Sequence, residues 1–325
     1  MKTQVVGAPE GLEQAAELLA TGQLVALPTE TVYGLGAAAL SSEACAKIFE
    51  AKDRPLTDPL IVHIPDFQWL DRIAHPNELA SRLAQQFWPG PLTLVLPRTD
   101  LIPDLVTAGQ ATVALRMSAH PIFQEVCRKY GSPIAAPSAN RFGRISPTTA
   151  SHVMTELGGR IPLIVDGGPC LHGIESTIVH VRDHGVEILR HGPVTEEQLS
   201  EFGILSPRGD TLTPGSMVSH YAPRTTLIIA KDLRKGAAAL LGAQKNNFPK
   251  KTGFLLWLKP VGTGEREFVE YLSPTQDLRE AAASLYGALR RLDQAGLDLI
   301  VAEAVPEIGL GVAIMERLRK AAARE

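Results

Sequence analysis

Short apolar runs alternate with stretches that carry apolar residues at helical spacing along most of the chain. The apolar run 24–27 follows a helical pattern over 10–21. The apolar run 60–64 follows a second helical pattern, which begins at Ser41 or Ser42 and ends before Arg54 and Pro55. Such alternation is typical of α/β domains, in which helices cover the faces of a sheet. We therefore expect an α/β fold.

One pair of strands in the first part of the chain is predicted to be antiparallel. The runs 176–181 and 186–190 are joined through Asp183, His184 and Gly185, a pattern typical of a hairpin. Further strands are predicted at 92–96, 112–116, 134–136 and 163–166, a helical stripe runs over 79–87, and helices are expected to begin at Pro121 and after Thr195. A hairpin among βα units predicts a twisted, mixed sheet.

The pattern breaks over SPRGDTLTPGSMVSHYAP, residues 206–223, which hold three prolines and two glycines. A stretch of this length without elements is uncommon inside a compact fold, so we expect a functional or mobile linker. Beyond it, strands are predicted at 226–230, 253–258, 268–272 and 297–302, and helices at 232–242, 275–295 and 313–323. The expected organisation is a catalytic domain over 1–205, a linker or lid over 206–223, and a small three-layer, Rossmann-like α/β domain over 224–325.

Composition excludes several classes of protein. The chain has 32 basic and 35 acidic residues, and a protein that coats nucleic acid usually has a basic excess. Its three cysteines have no metal-ligand spacing, so we expect no structural metal and buried free thiols in a reducing compartment. No apolar run approaches the roughly 20 residues of a membrane helix. We expect a soluble, cytoplasmic protein without a membrane partner.

Polar residues gather where predicted strands and helices end, which is where open α/β sheets bind ligands. Turns, helix ends and a hydrogen-bonded core histidine are simpler explanations for several of them taken singly. An arginine that ends an apolar strand, however, needs an anionic partner, and no acidic residue adjoins Arg116 or Arg190 in the sequence. Together these residues predict a pocket for a polyanion and a small polar ligand: Thr29, Thr31, Lys52, Arg54, His63, Arg116, Ser138, Asn140 and Arg190.

Familiar motifs do not explain this pocket. The chain has no P-loop, no nucleophile elbow and no zinc spacing. The residues 34–39 match G-x-G-x-x-A formally, but six residues separate them from the preceding strand, and Arg54 stands where a dinucleotide fold places an acid.

Several long words of the sequence occur together in one known family. LPTETVYGLGAAA, KDRPLTDPLIVHI, FWPGPLTLVL, TVALRMSAHP, APSANRFGRISPT, DGGPCLHGIESTIVHV and ILRHGPVT follow in the order of the YrdC-like domain. The linker word and the tail GLGVAIMERLRKAA are similar to those of the longer members. The chain thus resembles the YrdC-like threonylcarbamoyl-AMP synthase family, of the longer two-domain type.

This resemblance implies synthesis of L-threonylcarbamoyl-AMP from L-threonine, bicarbonate and ATP, with release of pyrophosphate. It implies Mg²⁺ as the companion of ATP. The product is the precursor of threonylcarbamoyladenosine in tRNA, so a tRNA-modifying threonylcarbamoyl transferase is the expected downstream partner. Contact with tRNA or double-stranded RNA is also open.

The resemblance also assigns roles to residues. Those implied to bind threonine are Thr31, His63, Arg116, Ala136 and Ser176. Those implied to bind ATP are Arg54, Asp58, Thr112, Ser138, Ser146, Arg190 and Tyr221. The implied catalytic set is Lys52, Arg54, Ser138 and Asn140. Asp58 stands where similar proteins often carry asparagine, and an acid there would repel phosphate unless Mg²⁺ or Arg54 neutralises it.

Two other functions fit parts of the pattern. A carbamoyltransferase of the same superfamily would use carbamoyl phosphate, but such enzymes usually carry this domain within a much longer chain with zinc fingers. A double-stranded-RNA-binding module would need only a basic concave face. The net charge of −3 and the small polar pocket favour the synthase.

Overall fold

The computed structural model describes residues 2–183, 185–203, 205–206, 221–230, 251–258 and 267–323. The chain divides into two compact units, residues 1–142 with 146–216 and residues 143–145 with 217–325. The predicted helix over 232–242 and residues 207–220 of the predicted linker lie outside the described residues. No helix in the described part of the chain has the length and apolar character needed to cross a membrane.

The first unit is built on an eleven-stranded sheet of order β1-β8-β2-β3-β7-β4-β6-β5-β9-β10-β11. Strand β5 pairs antiparallel with β6 and parallel with β9, and β9 and β10 form the predicted hairpin. The mixed sheet is therefore confirmed. Its strands are β1 (Gln4–Gly7), β2 (Val25–Leu27), β3 (Gly34–Ala38), β4 (Ile61–His63), β5 (Leu92–Pro97), β6 (Thr112–Arg116), β7 (Ile134–Ala135), β8 (Leu163–Asp166), β9 (Thr177–Arg182), β10 (Gly185–Arg190) and β11 (Leu205–Ser206).

Two helices of this unit begin at capping residues that the sequence indicates. The Ser41 hydroxyl accepts the N–H of Ala44 at 3.2 Å, and Thr195 and Gln198 form a capping box. The helices are α1 (Glu10–Ala20), α2 (Ser42–Lys52), α3 (Gln68–Ile73), α4 (Glu78–Phe87), α5 (Asp104–Thr107), α6 (Pro121–Tyr130), α7 (Ala150–Leu157) and α8 (Glu196–Ser200).

Strand β3 is formed by the glycine-containing segment that matches a dinucleotide motif formally. It is fully buried and pairs antiparallel with β2 and β7. A β-carbon added at Gly34 would lie 3.2 Å from that of Ala136, and one at Gly36 would lie 3.1 Å from the side chain of Ile134. The two glycines therefore let β7 and the residue after it approach β3 closely. They lie within a strand, whereas the glycines of a dinucleotide motif lie in the turn between a strand and a helix.

Apolar clusters cover both faces of this sheet. Val25 and Leu27 pack with Phe123 of α6, whereas Ala26 belongs to the cluster that contains Ile48 of α2. This alternation is the period of a strand buried on both sides. The cysteines Cys45, Cys127 and Cys170 are buried free thiols, as predicted, and burial raises the pKa of Cys45 to about 12.

The second unit contains a four-stranded sheet of order β12-β15-β13-β14, with parallel pairing throughout the described residues. Its strands are β12 (Thr226–Ala230), β13 (Thr252–Leu256), β14 (Val269–Tyr271) and β15 (Leu299–Glu303). Two described helices follow β14 and β15, namely α9 (Leu278–Gln294) and α10 (Leu310–Ala322). The separate parallel α/β unit is confirmed, and the helix predicted for its third layer lies outside the described residues.

Candidate functional site

Strands β4 and β6 bring two predicted site residues side by side. They run parallel, with His63 opposite Arg116 at their carboxyl ends. Both side chains are buried, at 2% and 3% exposure. Parallel pairing therefore places an imidazole and a guanidinium at one edge of the sheet, where α/β folds bind ligands.

Arg116 has the anionic partner that the sequence analysis required. Its Nη2 donates to Glu30 Oε1 at 2.7 Å, its Nη1 to the Thr31 hydroxyl at 2.9 Å, and its Nε to the Gly90 carbonyl at 3.2 Å. The second Glu30 oxygen accepts the Ser118 hydroxyl at 2.5 Å. The sequence alone led us to assign no role to Glu30 or Ser118. The only signal for either was position, because Glu30 lies between Thr29 and Thr31, and Ser118 follows Arg116 by two residues.

Glu30 is an ionised carboxylate at neutral pH. Burial by itself would raise its pKa, but the charge of Arg116 and hydrogen bonds from Ser118 and Arg116 lower it to about 2. The Thr31 hydroxyl also lies 2.8 Å from that of Thr29, which donates to the carbonyl of Val32 at 2.6 Å. The turn after β2 thus presents a fixed hydroxyl beside a fixed guanidinium.

His63 is not a satisfied core histidine. Its Nδ1 is buried and has no hydrogen-bond partner among the described residues, and its ring lies 4.5 Å from that of Phe123. Burial, together with the nearby charge of Arg116, lowers its pKa to about 3, so the ring is neutral at physiological pH. An unpartnered polar atom in a buried position calls for an explanation, and a ligand supplies one.

Lys52 ends α2 but is 1% exposed, so it is not a solvated residue at a helix end. Its Nζ donates to the backbone carbonyls of Ser138 and Asn140, and its own carbonyl accepts the N–H of Phe142 at 2.8 Å. Burial and the neighbouring charge of Arg54 hold the pKa of Lys52 well below its usual range. Lys52 therefore fixes the polar loop after β7 to the end of α2.

Arg54 neutralises Asp58. Their Nη2 and Oδ2 atoms lie 3.0 Å apart, and both side chains are buried. Arg54 also donates to the carbonyls of Asp58 at 3.2 Å and Pro59 at 2.7 Å. The acid at the position where similar proteins often carry asparagine is therefore held in an ion pair.

Residues predicted for different ligands touch one another at β9 and β10. Arg190 donates from Nη2 to the Ser176 hydroxyl at 3.1 Å and from Nε to the Ser176 carbonyl at 3.0 Å. The Ser176 hydroxyl also lies 2.7 Å from that of Thr93, which sequence reasoning missed. Next to Ser176, the carboxylate of Glu175 accepts the hydroxyl of Ser146 at 2.5 Å. Hydrogen bonds thus join Ser176, implied to bind threonine, to Arg190, implied to bind ATP.

Three predicted residues have other surroundings. Ala136 donates its N–H to the carbonyl of Ile61 at 2.8 Å, beside β4. Thr112 begins β6, which Arg116 ends, so the two lie at opposite ends of the strand, about 13 Å apart. Tyr221 belongs to the second unit, where its ring stacks on that of Tyr286 at 5.9 Å.

Known proteins similar to this chain cover both of its units. Residues 17–192 match the family described as Telomere recombination (Sua5_yciO_yrdC), and residues 194–323 match the family described as Threonylcarbamoyl-AMP synthase, C-terminal domain. The chain is 42% identical to the threonylcarbamoyl-AMP synthase of Bacillus subtilis (strain 168), over 96% of this chain and 92% of the relative. It is 40% identical to that of Pyrococcus abyssi (strain GE5 / Orsay), over 98% and 97%. A crystal structure of P. abyssi Sua5 complexed with L-threonine matches with a TM-score of 0.90 and 39% identity, covering 98% of each chain.

Proposed function

The chain belongs to the family of threonylcarbamoyl-AMP synthases, and from that premise we propose that the polar cluster of its first unit is where the adenylate forms. The reaction of the family joins L-threonine, bicarbonate and ATP and releases pyrophosphate. We assign the site from the register of β4 and β6, which places His63 beside Arg116. Nδ1 of His63 and two N–H groups of Arg116 remain open to a ligand.

Threonine is proposed to bind at this pair. The guanidinium of Arg116 binds the threonine carboxylate, and the Thr31 hydroxyl lies 2.9 Å from the same guanidinium. The open Nδ1 of neutral His63 hydrogen-bonds a polar group of the amino acid. Ala136 and Ser176 line the same side, as the resemblance implies.

ATP is proposed to bind beside it. Arg54, with Asp58 already neutralised, and Lys52 lie toward the phosphates, and the loop of Ser138 and Asn140 that Lys52 holds contributes hydrogen-bond donors. The residues of the first unit that complete this proposed nucleotide side are Thr112, Ser146 and Arg190, and the role of Tyr221 stays a prediction of the resemblance.

The reaction needs no protein nucleophile, because the substrates react with one another and the protein has to orient them. The threonine amine attacks the carbon of bicarbonate, and loss of water leaves a carbamate. A carbamate oxygen then attacks the α-phosphorus of ATP, a P–O bond forms there, and the bond to the leaving pyrophosphate breaks. Bringing three anions together costs electrostatic repulsion, which buried cations offset, and good orientation supplies roughly 7–11 kcal/mol of the barrier reduction.

Mg²⁺ enters this scheme as part of the substrate Mg-ATP. Among the described residues no group of three or more His, Cys, Asp or Glu side chains is placed to hold a metal ion. Magnesium in such enzymes is commonly held through substrate phosphates and waters. The carboxylate of Asp58 is engaged by Arg54 at 3.0 Å, so phosphate oxygens are the ligands that the chemistry favours.

The product is a mixed anhydride that water would destroy, so water must be kept from the site. The resemblance assigns this task to the linker 206–223, of which residues 207–220 lie outside the described part of the chain. We also infer that the product passes in the cytoplasm to a transferase that modifies tRNA.

Release of pyrophosphate tests the proposal. With Mg-ATP, threonine and bicarbonate together we expect steady release, and omitting either threonine or bicarbonate should abolish it. The Arg116→Ala variant should lose the threonine-dependent release of pyrophosphate, whereas Arg128→Ala, which removes an exposed arginine of α6, should behave as the parent. Pyrophosphate release that is independent of threonine in the parent protein would contradict the proposal and favour carbamoyl transfer or another nucleotide reaction.

A further inference from the structure

The carboxylate of Glu30 and the guanidinium of Arg116 form an ion pair away from water. The two side chains are 7% and 4% exposed, and the atoms Oε1 and Nη2 lie 2.7 Å apart. A buried charge is tolerated only when it is paired and its remaining hydrogen-bonding groups are satisfied. Glu30 meets this condition, since Ser118 satisfies its other oxygen.

The pair leaves part of Arg116 unused. A guanidinium has five N–H groups. Glu30, Thr31 and Gly90 accept one each, from Nη2, Nη1 and Nε respectively. One N–H on each terminal nitrogen is therefore left over, which is what a bidentate contact with a second carboxylate requires.

Glu30 itself is unsuited to take a proton from the threonine amine. Its pKa of about 2 makes it a poor acceptor at neutral pH, because Arg116 and Ser118 stabilise the ionised form. Both of its oxygens already accept hydrogen bonds from these two residues. Its direct contact with a proposed threonine-binding residue is the ion pair with Arg116.

We propose that Glu30 is a positioning residue that makes the site selective for an amino acid with a free carboxylate. It anchors one side of the Arg116 guanidinium, so that the two remaining N–H groups stay directed at the substrate, and Ser118 fixes Glu30 in turn. This inference rests on the proposed binding of threonine at Arg116.

The test compares L-threonine with L-threoninol, which lacks the carboxylate. In Glu30→Gln the amide keeps the size of the side chain but loses the charge. We expect the KM for threonine to rise about tenfold or more, because a charge-assisted hydrogen bond is lost, and the KM for ATP to stay within about twofold. The preference for threonine over threoninol, as a ratio of kcat/KM, should fall by a similar factor. Ser118→Ala should raise the KM for threonine and lower the preference for threonine over threoninol by smaller factors.

Two controls separate positioning from damage to the fold. Glu125→Gln alters a carboxylate that pairs with Arg128 on the surface of α6, and it should change neither ratio. In an Arg116→Lys background, Glu30→Gln should add little further loss, because residues that act through one another are not additive. If Glu30→Gln does not fold, Ser118→Ala carries the same test.

The outcomes are distinct. Equal rises in the KM for threonine and for ATP, an unchanged preference over threoninol, or additive losses with Arg116→Lys would overturn the inference while leaving threonine-dependent synthesis intact. Absence of threonine-dependent pyrophosphate release in the parent protein would instead overturn the proposed function.

Discussion

Replacing Arg116 by methionine removes the cation that faces Glu30 while keeping an unbranched side chain in the same space. The Glu30 side chain, 7% exposed, would then be buried without its partner. Breaking a buried ion pair in this way typically costs about 3–5 kcal/mol. The pKa of Glu30 supports the lower end, because its fall from 4.5 to about 2 corresponds to about 3 kcal/mol of stability at neutral pH.

The low pKa of Glu30 also makes this difference in stability depend on pH. The pKa of Glu30 is lower in the folded protein than in the unfolded chain, so its contribution is present above pH 4.5 and is lost as the pH falls from 4.5 to about 2. In Arg116→Met burial still raises the pKa of Glu30, the charge of Arg116 is gone, and only the hydrogen bonds from Ser118 and Ala119 still lower it. The gap in unfolding free energy between the parent and the variant should therefore be widest at neutral pH and close through that acidic range.

Urea unfolding followed by tryptophan fluorescence measures this gap. Trp69 and Trp88 belong to the first unit and Trp257 to the second, so a Trp257→Phe background makes the signal report the first unit. Adding Glu30→Gln to Arg116→Met removes the unpaired charge and should restore at least about 1 kcal/mol. A loss below about 1 kcal/mol in Arg116→Met, or a double variant no more stable than the single one, would show that the buried charge of Glu30 does not depend on Arg116.

Three further predictions concern the ligands. Arg54→Ala should raise the steady-state KM for ATP at least tenfold, because it removes a cation and leaves the charge of Asp58 facing the phosphates. Adding Asp58→Asn to Arg54→Ala removes that negative charge and should lower the KM for ATP part of the way back. Lys52→Met should lower kcat and weaken ATP binding more than threonine binding in titration calorimetry, because it frees two carbonyls of the loop after β7; equal losses for both ligands would count against this. His63, with a pKa of about 3, should contribute no ionisation to the profile of kcat/KM for threonine between about pH 5 and 8, so an acidic limb that disappears in His63→Gln would contradict its neutral state.

Local signals in the sequence predicted much of the scaffold. Ser41 and Thr195 cap helices because their hydroxyls accept nearby backbone N–H groups, and Thr112–Arg116 is a strand with the predicted bounds. Strand β3 was missed because its sequence GLGAA carries small residues with low strand propensity. It is a strand because β2 and β7 pair with it on either side, which is tertiary information.

The site, like the scaffold, has some features that the local sequence predicted and others that depend on the fold. The predicted residues His63 and Arg116 are brought together by strand pairing, and the need of Arg116 for an anion was visible from its place at the end of an apolar strand. The identity of that anion was not visible, because Glu30 precedes Arg116 by 86 residues and their contact depends on the fold. The pairing of Arg54 with Asp58 could be anticipated, since the two are four residues apart. The grouping of residues 143–145 with the second unit had no local signal.

Direct identification of the nucleotide product tests the central claim. The full-length protein is incubated with Mg-ATP, L-threonine and ¹³C-bicarbonate, and the quenched mixture is examined by mass spectrometry. We predict an adduct with the mass of threonylcarbamoyl-AMP that becomes heavier by the mass of the label. Pyrophosphate should equal the sum of this adduct and the AMP from its hydrolysis, and Arg116→Ala should give neither adduct nor pyrophosphate. An unlabelled adduct, or AMP and pyrophosphate formed without threonine, would show that the protein catalyses a different reaction.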